Sequence, residues 1–222
     1  ASNFISSGGA NHDFWEVQSY NLIRASLAFC AATKPDYYTL SDLMTALVRA
    51  GSKANLALLK QALTSEQFDE EERFNIGCAL EYFRDEYAEL EDKVRTSILA
   101  TATNFLNQFK EYQAEQIFCP SKEKLTISSM DEIVDSGKIL LFDVTSPALA
   151  RSMGTLVKLR YQQSVLDLLS RPEARRDRRG AVLIMDEYQD VATVGTGAVL
   201  GDDRYLAKAR EAGGITIAAS QS

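Results

Sequence analysis

Asp186 and Glu187 form an adjacent acidic pair directly after five apolar residues, Ala181-Val182-Leu183-Ile184-Met185. Two neighbouring carboxylates can divide the work of a metal-assisted hydrolysis. One helps hold a hard cation such as Mg²⁺, which prefers carboxylate oxygens and retained waters, and the other takes a proton from an attacking water. A short apolar run reads as a strand buried on both faces of a parallel sheet. Carboxylates at the C-terminal end of such a strand sit where α/β sheets bind ligands. The same residues also fit a strand that ends in two solvated acids. Asp143 closes a second apolar run, Ile139 to Phe142, introduced by Gly137, and can support the site or the rim of the sheet.

The residues that follow add to the pattern. Tyr188-Gln189-Asp190-Val191 leads into a polar, glycine-bearing stretch from Thr193 to Asp203, then a helical segment from Arg204 to Glu211 that ends at Gly213-Gly214. A second apolar strand, Ile215 to Ala219, closes on Ser220-Gln221-Ser222. Upstream, the strand Ile139 to Phe142 is followed by a helical pattern from Pro147 to Leu169. Alternating strands and helices of this kind argue for an α/β class with a parallel sheet.

This order resembles the second half of a RecA-like motor core. Ala181 to Glu187 looks like a Walker B strand. More narrowly, the chain resembles the TraG/TraD family of type IV secretion (conjugation) coupling proteins, hexameric ATPases of the HerA/FtsK superfamily. The Phe14-Trp15 start of a long helical region looks like that family's all-α insertion. The resemblance implies that Asp186 serves Mg²⁺ through water and that Glu187 is the general base. It implies that Gln221 senses the γ-phosphate of ATP, and that Arg210 reaches the nucleotide site of the neighbouring subunit. It further implies a homohexamer at the cytoplasmic face of the bacterial inner membrane, DNA or secreted protein as substrate, and relaxosome or secretion accessory proteins as partners. On the residues alone, Arg210 is equally a helix C-terminal charge meeting the macrodipole, and Gln221 the cap of an exposed strand end. Asp186-Glu187-Tyr188-Gln189-Asp190 also matches a motif of UvrD-like helicases. The Gly-Asp expected there before the downstream Gln is absent from Ala218-Ala219-Ser220-Gln221.

One departure bears on activity. The sequence contains no G-x-x-x-x-G-K-[ST]; Gly8-Gly9 and Gly195-Thr196-Gly197 lack the lysine and the spacing of a phosphate cradle. The family's P-loop precedes its all-α insertion, so the expectation is an excised fragment, inactive alone, with ATP and Mg²⁺ as cofactors of the full-length protein only.

Charge and cysteine content narrow the alternatives. Residues 1–120 hold 17 acids and 10 bases, whereas residues 121–222 hold 14 of each, so the whole net charge of −7 lies in the first part. Glu66 to Asp92 alone carries 11 acids against Arg73 and Arg84. Such a face repels a phosphate backbone. It either keeps a helical domain soluble or attracts a basic protein partner. Arg171 to Arg179 holds five arginines, an exposed loop or a contact for nucleic-acid phosphates. Cys30, Cys78 and Cys119 form no C-x-x-C and His12 is the only histidine, which argues against a zinc site. No run approaches the ~18 apolar residues of a bilayer span.

The elements that must position these groups fall into three segments. Residues 1–12 form an N-terminal segment that can include residues added for expression. Residues 13–120 read as an all-α domain, and residues 121–222 as the C-terminal part of a RecA-like core. Phe14 to Ala32 is apolar on several sides, which suits a central helix. Lys34-Pro35-Asp36 breaks it, and Thr39 or Ser41 can cap the next helix. Leu56, Leu59 and Leu63 mark a third. From Phe74, the spacing of Ile76, Leu80, Phe83, Tyr87, Leu90 and Val94 predicts one long amphipathic helix or two nearly collinear ones, with its stripe packed inside the bundle. Leu125 to Ile127 reads as a short strand, and Ser128 or Ser129 as the cap of a turn from Met130 to Val134.

Overall fold

The computed structural model describes residues 10–143, 147–170, 180–195, 200–211 and 213–221. The N-terminal residues 1–9, the arginine-rich interval 171–179 and the Thr196-Gly197 part of the Gly195-Thr196-Gly197 stretch lie outside the described residues. The chain divides into two compact units, one running to Lys124 and the other starting at Leu125. It is a mixed α/β protein, mostly helical, with a small parallel sheet in the second unit. None of the described helices is long and apolar enough to cross a membrane.

The first unit is built around α1 (Ala10–Thr33). This helix buries Ser19, Leu22, Ala25, Ser26, Cys30 and Ala32, and packs on α2 (Leu40–Val48), α3 (Lys53–Leu63), α4 (Glu70–Glu81) and α5 (Asp92–Leu106). A helix with neighbours on several sides cannot keep a single polar face. Local chemistry sets the starts of the shorter helices. Thr39 caps α2 in a reciprocal capping box with Asp42, Ser52 caps α3, and Asp69 forms a second capping box with Glu72 at α4.

The long stripe that begins at Phe74 belongs to two helices. After α4 the chain runs through a π-helical segment, Tyr82–Tyr87, and α5 starts afresh behind Glu91. Arg95 secures the break by donating to the Ala88 carbonyl at 3.0 Å and pairing with Asp92. Ile76, Leu80, Phe83, Tyr87 and Ile98 are all buried, because α4, the π segment and α5 each pack against α1. Periodicity recorded the shared buried face and carried no signal of the backbone break. A 3₁₀ turn (Asn107–Lys110), α6 (Tyr112–Phe118) and a second 3₁₀ turn (Lys122–Lys124) complete the unit.

The second unit holds α7 (Met130–Ser136), α8 (Pro147–Ser170), β1 (Ala181–Met185), α9 (Tyr188–Val191), α10 (Asp202–Ala209) and β2 (Gly214–Ala218). Strands β1 and β2 pair in parallel, Ala181 opposite Gly214 and Met185 opposite Ala218, and α10 lies in the crossover between them. Ala181 packs with Val165 of α8 and with Tyr205 and Ala209 of α10, and Leu183 lies against the same cluster. Gly213 adopts φ +73 in the turn before β2. A Cβ on Gly214 would come within 3.1 Å of Ala209 and of the Tyr205 hydroxyl, so glycine permits the close approach of β2 to α10.

Three expectations are corrected here. Leu125 to Ile127 is not a strand. The adjoining Ser128 backbone N–H donates to the Glu132 carboxylate, part of the capping arrangement of α7 behind Ser129. Ile139 to Phe142 is not a strand either. Gly137 ends α7 in the left-handed conformation, and the run that follows has no ladder among the described residues, leaving Ile139 97% and Leu141 88% exposed. Finally, among the described residues β1 is covered on one face only. Val182 and Ile184 of β1 share the open face with Ile215 and Ile217 of β2, and Ile184 is 71% exposed.

Candidate functional site

The parallel register brings the C-terminal ends of β1 and β2 side by side. The ladder continues past the strands, since Ala219 N–H donates to the Met185 carbonyl (2.9 Å) and Tyr188 N–H to the Ala219 carbonyl (2.8 Å). Asp186 and Glu187 leave β1 at this edge, and Ser220 and Gln221 leave β2 there. Gln221 Nε2 donates to Glu187 Oε1 at 2.5 Å, across 34 residues of sequence. Gln189 Nε2 donates to the other Glu187 oxygen, and Ser220 Oγ donates to Gln189 Oε1 at 2.7 Å. Glu187 is thus held through both carboxylate oxygens by two side-chain amides. Asp186 Oδ1 accepts from the Glu187 backbone N–H at 3.0 Å.

Glu187 has φ +50 and ψ +46, and it is the only non-glycine residue with positive φ among the described residues. The left-handed region is disfavoured for a residue with a Cβ, a local cost of order 1–3 kcal/mol that the surroundings must hold in place. The conformation turns the chain sharply from β1 into α9, so that Asp186 and Glu187 stay at the strand end.

A buried polar cluster anchors the same turn from beneath. Lys158 of α8 and Asp202 at the start of α10 form an ion pair at 2.7 Å, with side chains only 3% and 6% exposed. Lys158 Nζ also donates to the Val191 carbonyl (2.5 Å) and Thr193 Oγ1 (3.0 Å). Asp202 accepts further bonds from Gln162 Nε2 (2.7 Å), the Thr193 backbone N–H (2.8 Å) and the Tyr188 hydroxyl (3.0 Å). Burial alone would raise the Asp202 pKa. The bonds from Lys158, Gln162 and Thr193 outweigh it and hold the carboxyl below its usual range. Burial also draws the Lys158 ammonium below its ordinary value, against the pull of Asp202. On the surface, Arg151 of α8 pairs with Asp190 of α9 at 3.0 Å.

Of the residues singled out from sequence, the fold therefore gathers Asp186, Glu187 and Gln221 into one cluster. Arg210 lies elsewhere. It follows α10 and precedes β2, so it sits by the N-terminal end of the strands while the carboxylates sit by the C-terminal end. Its side chain is exposed and makes no hydrogen bond or ion pair among the described residues. Asp143 is exposed at the end of the Ile139–Phe142 run, and among the described residues no hydrogen bond ties it to the cluster.

Sequence reasoning did not single out Gln189, Ser220, Lys158, Gln162 or Asp202. A signal was present for two of them: Lys158, Gln162 and Val165 follow a spacing of four and three on α8, which puts two polar residues in line with a core position. The partner of Lys158 lies 44 residues away, which no local pattern reveals.

In chemical terms the edge offers one open carboxylate, Asp186, beside a second, Glu187, held by amides. No group of three or more metal-ligating side chains occurs among the described residues. Asp186 with Glu187 fits a Mg²⁺ ion that keeps its waters and takes its remaining oxygens from a phosphate. The sequence contains no lysine-bearing glycine cradle of the kind that holds such a phosphate. No protein-family model, curated protein or solved structure matches the chain.

Proposed function

We propose that the chain is the all-α unit and the distal half of the RecA-like nucleotide core of a type IV secretion coupling protein, an ATPase that drives DNA or protein transfer as a homohexamer. The observation that carries this reading is the bond from Gln221 to Glu187 beside Asp186, at the C-terminal edge of a parallel strand pair. Residues that the resemblance assigns to sensing, base and metal come from both strands and meet there. The open face formed by Val182, Ile184, Ile215 and Ile217 adds support, since a core strand pair of such a motor is covered on both sides.

When bound, ATP with Mg²⁺ supplies the phosphoryl group under attack. Asp186 would hold the metal's water shell. Glu187 would take the proton of the attacking water, and Gln221 would sense the terminal phosphate. Arg210, remote from this edge, would serve a neighbouring subunit and not its own.

The test uses the protein extended upstream through a G-x-x-x-x-G-K-[ST] motif. Glu187→Gln should keep ATP binding and lose hydrolysis by ~10²–10⁴-fold, the usual range for general-base assistance. Wild-type turnover in that variant would remove the assignment. Arg210→Ala should lose hydrolysis and regain part of it in mixed rings with a P-loop-dead partner. Mixed rings that form and stay inactive would confine Arg210 to its own subunit.

A second, non-catalytic role belongs to the helical unit, which we read as a docking platform. An open groove between α1 and α4 favours this role.

A further inference from the structure

We propose that the groove between α1 and α4 binds a basic amphipathic segment of a partner protein. This rests on the docking role of the helical unit and is independent of the nucleotide chemistry. The groove has a volume of about 480 Å³, room for three or four side chains. Its floor is apolar: Ala25 and Ala28 of α1, Ile76 and Ala79 of α4, and Tyr82 at the start of the π segment. Alanines on the α1 side leave space for the occupant to approach the helix closely.

The π segment shapes one end. Tyr82 and Glu86, both within it, line the groove, and π turns inside helices occur frequently at functional sites. The Tyr82 hydroxyl is buried and has no hydrogen-bond partner among the described residues.

Charge complementarity selects the occupant. Glu72 and Glu86 line the groove against a single cation, Arg24. Asp36 is exposed between Pro35 and Tyr38, which form part of the same wall. Around them lies the segment Glu66 to Asp92, with 11 acids against two arginines, one of them (Arg84) already paired with Asp85. Nucleic acid and acidic peptides are repelled by such a rim. A segment with apolar side chains on one face and lysines or arginines on the other satisfies the floor and the rim together.

The experiment titrates the 222-residue chain with fluorescein-labelled synthetic peptides of about 14 residues: an amphipathic Leu/Lys helix, its Leu/Glu counterpart and a Lys/Ser peptide of equal charge. The Leu/Lys peptide should bind, more weakly as salt rises, and the other two should bind at least about tenfold less well. Ala28→Phe, which fills the floor without touching the rim, should weaken the Leu/Lys peptide about tenfold, and Glu86→Lys with Asp36→Lys should do the same while flattening the salt dependence. Circular dichroism checks that each variant is folded. Equal binding of the Lys/Ser or Leu/Glu peptide overturns the proposal. Unchanged binding in Ala28→Phe overturns the groove while leaving the helical unit a docking module, and no binding of the Leu/Lys peptide to the wild-type chain overturns both.

Discussion

Lys158→Met is the sharpest test of what holds the acidic edge in place. Methionine keeps the length and apolar stem of the lysine and removes its charge. Three bonds disappear: those to Asp202, the Val191 carbonyl and Thr193. Asp202 is left buried with three neutral donors, from Gln162, Tyr188 and the Thr193 backbone. Breaking a buried pair from one side costs about 3–5 kcal/mol. The surviving donors place this variant at the lower end, about 3 kcal/mol, a rise of roughly a hundredfold in the open population. Asp202→Asn leaves a buried ammonium facing an amide and should cost at least as much. The two changes together should cost clearly less than their sum, because each removes the charge that the other strands.

Urea-dependent hydrogen exchange, read by mass spectrometry on peptides spanning β1, α9 and α10, follows this unit directly. The pH dependence gives a second signature. The folded pKa of Asp202 is depressed, so its contribution is complete above the unfolded carboxylate value of ~3.9 and is lost as the pH falls through the lower folded value. Lys158→Met removes the strongest of the opposing bonds, so this acid-linked part of the stability should shrink. A loss below about 1 kcal/mol, or single-variant costs that add fully, would mean that the pair contributes little and that the turn is held otherwise.

Three further outcomes follow from other sites. Thr39→Ala removes the side-chain half of the α2 capping box and should cost about 0.5–2 kcal/mol in urea denaturation of the helical unit. Glu132 should titrate near pH 2 by NMR, because Lys138 and then Ser128 bond its carboxylate, and Lys138→Met should move the midpoint up toward the ordinary value of about 4.5. Cys30 is buried, and that burial pushes its thiol pKa up to about 12, so at pH 8 it should react with a disulfide reagent only on unfolding, well after the half-buried Cys78.

Helix starts were legible because their causes are local. Thr39, with Asp42 three residues on, specifies the beginning of α2, and Ser129 specifies that of α7. The position of the acidic pair at the end of an apolar run was legible from residue types, whereas Gln221 was singled out only through the family resemblance. A strand at 125–127 and at 139–142 was expected because apolar patterning describes side chains, while a strand exists only where a second backbone accepts its ladder. The same limit applies to β1. Its run of five apolar residues looked buried on both sides, yet Val182 and Ile184 are exposed while Ala181 and Leu183 pack against the cluster of α8 and α10.

The geometry of the acidic edge is a tertiary product. Helix α9 has four residues, too few to be stable alone. It is fixed by Lys158 through Val191, by Asp202 through Tyr188, by Arg151 through Asp190, and by the ladder bond from Tyr188 to Ala219. Those anchors come from α8, α10 and β2, and each is more than ten residues away. Glu187 can occupy a left-handed conformation because the residues on both sides of it are held: Asp186 follows directly on β1, and Tyr188 is bonded to Ala219 and Asp202. The Lys158 substitution should therefore change the exchange of the Glu187 and Tyr188 amides before it changes those of β1. If β1 opened first, the buried pair would be supporting the sheet, and the acidic turn would owe its shape to the strand register alone.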